Sequence, residues 1–419
     1  MVSKLFRLKN STTQCSKQPA KSIMKHNFLN SALLLVCGSV NSALADDTSW
    51  TDRLQLHGFL TQGYINTNHN NWFGDSEDGS FEFTEVGLNT RLQLTSNLSA
   101  SAQVLSRRAG EMDNGSPHLD YGFFSYQLFE SRAGELGFRV GRIKNKFGLY
   151  NDTRDVAATR PGVFMPQSIY FDRVRNVLLS SDGVSAFGGM NFDNSSITFN
   201  VNVGKFPTDK NIKATFIGEN LPGSLDSDEK NVTSSLLYEY DAGRIRIALS
   251  NVNYTLRFNA QPGPIFSDGY IDGDIRILSA EYNAERWSFT AEYSRQPIYY
   301  NDISPVFETL DGEAEAYYVQ ALHRFSNRWS SWLRYEASFR DKDDKSGKMR
   351  GPASGQPPHS TFTKSWVAGV RWDVSRNLMV SAEYHRNDGT FILSRVDNPP
   401  STPTDPEWDI FALLVSYRF

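Results

Sequence analysis

The sequence contains little cysteine and no long apolar run. Its two cysteines, Cys15 and Cys37, both lie near the start of the 419 residues, so the rest of the chain can hold neither a disulfide nor a thiolate metal site. No uninterrupted apolar stretch approaches the roughly 18 residues of a membrane-spanning helix, which excludes a helical membrane protein. Disorder is excluded as well, because 13% aromatic and 39% hydrophobic residues provide ample material for burial.

The first 45 residues have the pattern of an export signal. A short basic segment at 24–26 precedes the mostly apolar segment 28–36, and Ala43-Leu44-Ala45 supplies the small residues that a signal peptidase requires. We therefore expect residues 1–45 to form a signal peptide and residues 46–419 to form the mature domain. The mature part then carries 37 basic and 47 acidic residues, a net charge of −10.

Two details of this leader leave alternatives open. The residues before Met24 add nothing to the export pattern, so we expect Met24 to be the true start and residues 1–23 to be a gene-model extension. Cys37 would permit lipid attachment, although Val36 before it fits such a site poorly. Both alternatives still predict export.

Beyond residue 46 the dominant pattern is an alternation with a period of two. Val86, Leu88 and Leu92 on one parity are apolar, whereas Glu85 and Arg91 on the other are polar, which is typical of a strand with one apolar and one wet face. No segment has a convincing helical periodicity. The alternation predicts sixteen strands, at 54–64, 81–95, 98–107, 119–130, 135–143, 182–191, 196–204, 231–240, 244–258, 273–283, 287–295, 313–325, 328–339, 363–373, 378–386 and 408–419.

The connections between these strands fall into two length classes. Seven short polar turns alternate with eight long loops, so both termini lie on the short-turn side. We therefore predict an all-β fold, a 16-stranded antiparallel transmembrane β-barrel with long external loops and short periplasmic turns. A soluble β-sandwich or propeller is the alternative, but its loops would not sort by length, and no blade-length repeat is present.

Three short stretches resemble a known family. The apolar parity of the last strand ends in Tyr417-Arg418-Phe419, and Arg139-Val140-Gly141-Arg142 is followed by Phe147-Gly148. With the leader and the strand number, these stretches make the chain resemble the Gram-negative outer-membrane porins, including their phosphate-selective members. The resemblance implies a water-filled channel, a homotrimer, and an outer-membrane location in contact with lipid and lipopolysaccharide. It also implies that Phe419 is an assembly signal for the barrel assembly machinery.

The parity opposite the apolar one predicts the side chains that line the interior, which is wide enough for an aqueous lumen at sixteen strands. They are basic at Arg91, Arg107, Arg139, Arg246, Arg334, Arg371 and Arg418, and acidic at Glu85, Glu239, Glu292, Glu336, Asp373 and Glu383. Such a nearly balanced wall would not set ion selectivity by itself. The alternative for each residue is a cross-strand ion pair that only supports the wall.

The longest loop, from Lys144 to Ser181, carries an excess of positive charge. Its acidic residues are Asp152, Asp155 and Asp172, and its basic residues are Lys144, Lys146, Arg154, Arg160, Arg173 and Arg175. If the loop folds inward, this excess at a narrow opening favours small anions, with phosphate as one candidate. If the loop stays outside, the same cations would bind lipopolysaccharide phosphates. We favour the inward arrangement, because so long a connection is commonly functional.

Two other functions compete with a diffusion channel. A sugar-specific channel could use an aromatic track made of Trp72, Phe73, Tyr150, Phe164, Tyr170 and Phe171. A barrel enzyme would need a base beside a nucleophile, but His323 and His385 are the only usable bases on strands, and no Gly-x-Ser-x-Gly elbow is present. We therefore predict that the protein is not an enzyme. The sequence predicts no cofactor, no metal site and no nucleic-acid partner.

Overall fold

The structure, a computed structural model, describes residues 53–218, 221–228, 230–261, 266–353 and 355–419. The predicted signal peptide at 1–45 therefore lies outside the described residues and stays a prediction. Within the described ranges, no helix combines the length and the apolar character needed to cross a bilayer.

Sixteen long antiparallel strands form one continuous wall, which confirms the predicted fold class and strand number. Each predicted strand overlaps one observed strand. The strands are Leu54–Thr67 (β1), Ser80–Gln93 (β2), Leu98–Ala109 (β3), His118–Ser131 (β4), Gly134–Lys144 (β5), Ser180–Asn191 (β6), Ser195–Lys205 (β7), Asn231–Tyr240 (β8), Ile245–Asn259 (β9), Gly269–Asn283 (β10), Trp287–Asn301 (β11), Gly312–Arg324 (β12), Trp329–Phe339 (β13), Phe362–Asp373 (β14), Leu378–Asp388 (β15) and Glu407–Arg418 (β16).

The wall closes on itself. Each strand pairs with its neighbours in chain order, and β1 pairs with β16 from Phe59 opposite Arg418 to Thr67 opposite Ile410. Closure leaves no unpaired wall edge. Seven turns of two to four residues connect the strands at one end, and eight loops of 8 to 35 residues connect them at the other, as the sequence predicted.

The exterior of the wall is apolar. On β16, Phe411, Leu413 and Val415 are 39–43% exposed. Trp329 and Trp372, at the short-turn ends of β13 and β14, stack with ring centroids 5.4 Å apart. An apolar outer band with aromatic side chains near the turns is the surface that a transmembrane barrel presents to lipid.

Strand β11 extends six residues beyond the predicted segment 287–295. Pro297 lies inside it and has no N–H to donate, so pairing with β10 is interrupted between Arg295 and Ile298. Pairing with β12 continues through Pro297 opposite Glu313. The strand therefore survives the proline because only one of its two ladders is interrupted.

Part of the interior face is apolar, which the alternation did not predict. Trp408, Ile410, Ala412 and Leu414 point inward from β16 and are at most 1% exposed. Trp408 lies 6.0 Å, centroid to centroid, from Trp72 of the first long loop. Because loops fill this part of the barrel, β16 is buried between lipid on one face and packed side chains on the other.

The helices of the described residues are short and lie in the long loops. The same loops contain two short strands outside the wall: Asp113–Asn114 pairs with β3, and Ser224–Ser227 pairs with β9. The helices are Arg175–Leu179 (α1), Lys210–Phe216 (α2), Pro305–Glu308 (α3) and Arg350–Ala353 (α4), with 3-10 turns at Asn151–Thr153, Ala157–Thr159, Asp172–Val174 and Pro358–Thr361.

Candidate functional site

The loop between β5 and β6, residues 145–179 and named here the inner loop, lies across the interior of the barrel. On one side it contacts Glu85 of β2 and Arg107 of β3. On the opposite wall it contacts strands β9 to β15, through Ser250, Glu281, Glu292, Gln320, Glu336, Arg371 and Glu383. The inner loop therefore divides the interior into a part toward the long loops and a part toward the short turns.

Glu292 of β11 fixes the beginning of the inner loop. Its Oε1 accepts hydrogen bonds from the Leu149 N–H at 3.0 Å and the Ser279 hydroxyl at 2.6 Å. Its Oε2 accepts from the hydroxyls of Tyr170 at 2.7 Å and Tyr318 at 2.8 Å. Both oxygens of this buried carboxylate are thus satisfied, as burial of a charge requires.

Two further wall glutamates hold the middle of the inner loop. Glu383 of β15 accepts from the backbone N–H groups of Val163 at 3.0 Å and Phe164 at 3.3 Å. Glu336 of β13 accepts from the N–H of Ser168 at 3.0 Å. All three anchoring glutamates point inward as the parity predicted, but they are 1–4% exposed, because the inner loop covers them.

Glycine is required where the inner loop approaches Glu292. Gly148 has a φ of +55°, a left-handed conformation that favours glycine. A Cβ at this position would also collide with the Tyr170 hydroxyl and the Glu292 carboxylate. The Phe147-Gly148 pair singled out in the sequence therefore has a structural role in seating the loop.

Asp155 lies between two of the six basic residues assigned to the constriction. It pairs with both Lys144 and Arg175, and Lys144 also lies 3.1 Å from Asp120 of β4. Although burial raises the pKa of Asp155, its two cationic partners outweigh burial and hold that pKa well below its ordinary value. The same contact raises the pKa of Arg175 against the opposing effect of burial.

Three more of these basic residues are also paired. Arg154 lies 3.1 Å from Asp172, Arg160 pairs with Glu85 of β2, and Lys146 lies 3.6 Å from Asp152. Burial lowers the pKa of Arg154 to about 10, so it remains charged at neutral pH. Five of the six basic residues therefore face a carboxylate.

Arg173 is the exception. Among the described residues it has no acidic partner; its Nη1 donates to the Phe391 carbonyl at 2.6 Å, and its Nε is buried without a hydrogen bond. Its guanidinium lies 4.4 Å from the centroid of the Phe391 ring. Burial lowers the pKa of Arg173, and the nearby Arg395 and Arg340 add to this effect, so that the pKa falls to about 9.

Most of the predicted wall residues are paired, some across strands and some with a neighbour two residues along the same strand. Their contacts are Arg107 with Glu85 and Asp172, Arg246 with Glu239 and Glu281, Arg334 with Glu336, Arg371 with Asp373, and Arg139 over the Phe187 ring. Arg91 and Arg418 are exposed near the short turns and have no ion pair with any described residue. The alternative of a cross-strand ion pair that supports the wall therefore describes Arg246, which contacts carboxylates on both neighbouring strands.

The six aromatic residues of the predicted sugar track do not form an open surface. Trp72, Phe73, Phe164 and Tyr170 are at most 3% exposed. Phe164 packs edge-to-face against Phe73 at 5.5 Å. These rings hold the inner loop to the first long loop and to the wall, so they offer no track along which a sugar could stack.

Neither His323 nor His385 forms a hydrogen bond with a serine, threonine or tyrosine hydroxyl of the described residues. His385 Nε2 lies 2.7 Å from Glu383 Oε1, beneath the ring of Phe164. His323 stacks on Trp287 with centroids 4.4 Å apart. In the same part of the chain, no group of three or more His, Cys, Asp or Glu residues has metal-binding geometry.

Two cavities border the inner loop. The outer cavity, on the long-loop side, has a volume of about 240 Å³ and is lined by Arg173, Arg340 and Arg395 among many apolar side chains. The turn-side cavity, of about 520 Å³, is lined mainly by polar and charged groups. Sequence reasoning missed Arg340 and Arg395, because they lie on separate loops and no local motif marks them.

Phe419 follows the last residue of β16 and continues its pairing with β1. Its backbone N–H and carbonyl each form a 3.0 Å hydrogen bond with Gly58. The ring is 48% exposed and lies 6.4 Å from that of Tyr417. The terminal aromatic residue therefore faces the exterior at the short-turn end of the barrel.

Comparisons with known proteins show which solved structures share this fold. No protein-family profile matches the sequence, and no curated protein does. Solved structures match along nearly their whole length. The outer membrane channel DcaP of Acinetobacter baumannii has a TM-score of 0.54 at 12% identity, covering 87% of this chain and 97% of its own. The anion-selective porin from Comamonas acidovorans has a TM-score of 0.54 at 13% identity, covering 87% and 99%.

A third structure, OprB of Pseudomonas putida, has a TM-score of 0.54 at 13% identity and covers 88% of this chain and 95% of its own. Identities this low establish the fold alone. The chain therefore has the fold of the outer-membrane porins, a barrel whose wall crosses the membrane sixteen times.

Proposed function

We propose that the chain forms a water-filled channel for passive diffusion of small hydrophilic solutes, with a weak preference for anions. One observation carries the proposal: basic side chains outnumber acidic ones in both cavities beside the inner loop. The outer cavity has Arg173, Arg340 and Arg395 against Glu315. The turn-side cavity has Arg160, Arg286, Arg324, Arg328 and Arg371 against Glu285 and Asp373.

The inner loop is the proposed constriction. Pairing leaves little net charge at its centre, since Arg173 alone among the six basic residues assigned to the constriction lacks a carboxylate partner in the described chain. The field that a permeating ion meets then comes from the cavities on either side, where low-dielectric walls focus it. A modest excess of positive charge predicts weak selectivity, and phosphate is one of the anions that such a field favours.

Zero-current potentials in planar bilayers test this proposal. In a KCl gradient the wild type should favour chloride. The double variant Arg286→Gln, Arg328→Gln and the single variant Arg173→Gln should each move the potential toward potassium, because each removes positive charge beside the inner loop. The effect should be largest at low salt, where the Debye length is about 10 Å or more.

Arg132→Gln provides the matched control. Arg132 is exposed on the β4–β5 turn and lines neither cavity, so its loss should leave the potential unchanged. A potassium-selective wild type, or an equal shift in the control, would contradict the anion preference. Absence of any ion conductance from correctly folded protein would contradict the channel itself.

A further inference from the structure

The outer cavity brings together three arginines from three different loops. Arg173 comes from the inner loop, Arg340 follows β13, and Arg395 lies in the loop before β16. The side chains of Arg340 and Arg395 make neither a hydrogen bond nor an ion pair with any described residue. The lining holds a single carboxylate, Glu315, which already pairs with Lys345 and with Arg295.

The three guanidinium groups lie close enough to repel one another. After burial, Arg340 is the main influence that lowers the pKa of Arg395, and Arg395 and Arg340 together lower that of Arg173. Partly buried like charges without a counter-charge are costly. An anion bound between them would remove this repulsion and supply the missing hydrogen-bond acceptors.

The rest of the cavity is apolar and aromatic. Its wall includes Phe171, Tyr254, Ile298, Tyr300 and Phe391. Phe171 and Phe391 meet edge-to-face at 5.6 Å, and the Tyr300 hydroxyl is already used in a 3.1 Å hydrogen bond to the Phe216 carbonyl. A fully hydrated inorganic ion would gain nothing from this wall, whereas an apolar group would be removed from water.

We propose that the outer cavity is a binding site for small organic anions that combine a carboxylate with a compact apolar body. The carboxylate lies among Arg173, Arg340 and Arg395, and the apolar body packs against the aromatic wall. The volume of about 240 Å³ is just below the range of about 300–1,000 Å³ for drug-sized sites, which suits a small ligand. The inference rests on the proposed channel, since it names a solute class that the channel would concentrate.

Calorimetric titration of the folded, detergent-solubilised protein tests the site. Four probes distinguish the contribution of the arginines from that of the apolar wall: benzoate, acetate, benzyl alcohol and inorganic phosphate. Benzoate should bind at least about tenfold more tightly than the other three, because only benzoate uses both the arginines and the apolar wall. Equal affinity for acetate or phosphate would overturn the apolar half of the proposal, and equal affinity for benzyl alcohol would overturn the anionic half.

Two variants locate the site. Arg395→Gln and Arg340→Gln should each weaken benzoate binding by about tenfold, as expected from the loss of one charge-assisted contact. Arg328→Gln, which removes a turn-side arginine, should leave binding unchanged. A variant that fails to fold is recognised because its mobility on a denaturing gel no longer changes on heating. If only one of the two arginine variants folds, that variant alone is enough for the test. Unchanged binding in both folded variants, or an equal loss in Arg328→Gln, would overturn the assignment.

Conductance measured on the same preparations distinguishes this inference from the channel proposal. A conducting wild type that binds benzoate no better than acetate overturns the site and leaves the channel intact. A protein that binds benzoate but conducts no ions overturns the channel and supports the site.

Discussion

Glu292, Glu336 and Glu383 connect the wall to the inner loop at the scale of single residues. Each sits on an inward-facing strand position and accepts backbone or hydroxyl donors from the loop. A charge in such a position contributes mainly by satisfying buried donors, because a donor left unpaired in the interior costs about 1–3 kcal/mol. Their role is therefore to hold the loop.

Replacement of Glu292 should loosen the inner loop. Glu292→Gln removes the charge and turns one acceptor of the Tyr170 and Tyr318 hydroxyls into a donor, so we expect the docked loop to lose on the order of 1–3 kcal/mol. Hydrogen exchange of amides 148–170 should accelerate, and single-channel current should become noisier. Glu239→Gln is the control, because within the described part of the chain the Glu239 carboxylate pairs only with Arg246 and does not contact the inner loop. Similar exchange rates in the two variants would argue against the anchor.

Asp397 should make one loop contact sensitive to pH. Burial raises its pKa, the charges of Glu111 and Glu82 add to this effect, and the backbone N–H groups of Glu111 and Gly74 oppose it, so that the pKa rises from an ordinary 3.8 to about 6. The folded state therefore holds this proton more tightly than the unfolded state does. The stabilisation is fully present below the ordinary pKa and is lost as the pH rises through about 6.

Asp397→Asn should abolish that dependence. At pH 7.5 the variant should protect amides 389–398 about tenfold better than the wild type, whereas at pH 5 the two should converge. Comparison at equal pH removes the intrinsic effect of pH on hydrogen exchange. Asp405→Asn, at an exposed position of the same loop, should behave as the wild type does. A wild-type advantage at pH 7.5 would refute the assignment.

At the scale of elements, most basic residues of the inner loop form ion pairs. These residues therefore hold the loop in place as well as giving it charge. Arg154 and Arg160 neutralise Asp172 and Glu85. Arg107 also contacts both carboxylates, so removal of either arginine leaves a buried carboxylate with one cationic partner fewer, which weakens the seating of the loop. A change in selectivity after such a substitution would report a displaced loop, and Arg173 is the better probe of the loop's field.

The last strand carries the second element-scale prediction. Phe419→Ala keeps the two backbone hydrogen bonds to Gly58 but removes the exposed ring that the proposed assembly signal requires. We expect a severalfold lower fraction of heat-modifiable barrel in isolated outer membranes, with unchanged refolding into lipid vesicles in vitro. Phe192→Ala, another exposed phenylalanine at a short turn, serves as control. Equal yields for both variants in cells would count against a terminal signal.

At the scale of the whole molecule, closure of the sheet and its apolar exterior fix how the protein sits in a membrane. The inner loop is held against both opposing walls. Rigid seating of this kind suits a constriction of constant size.

We also expect the intact protein to be a homotrimer, since closed symmetric assemblies are the usual outcome when like subunits associate through a shared apolar surface. Unheated samples should migrate as a trimer on denaturing gels and collapse to about 42 kDa on boiling, as scaled from the 374 residues of the predicted mature chain. Light scattering in mild detergent gives an independent mass. A monomer by both methods would refute the prediction.

The sequence by itself determined the barrel. Alternation along Val86, Leu88 and Leu92 and the sorting of loops by length are local properties, because the two faces of a strand meet different solvents. The strand number, the closed wall and the inward parity of Glu292 all follow from them. The longest loop could likewise be identified from its length and composition.

Only the tertiary structure decided what the interior contains. Parity places Glu383 inside, but the partners of its carboxylate, Val163 and Phe164, lie more than two hundred residues earlier in the chain. Arg340 and Arg395 meet Arg173 only because three loops converge over one cavity. Period-two patterning records which solvent a side chain faces, whereas contacts between loops form only where distant segments of the chain meet inside the closed barrel, and no local pattern encodes those contacts.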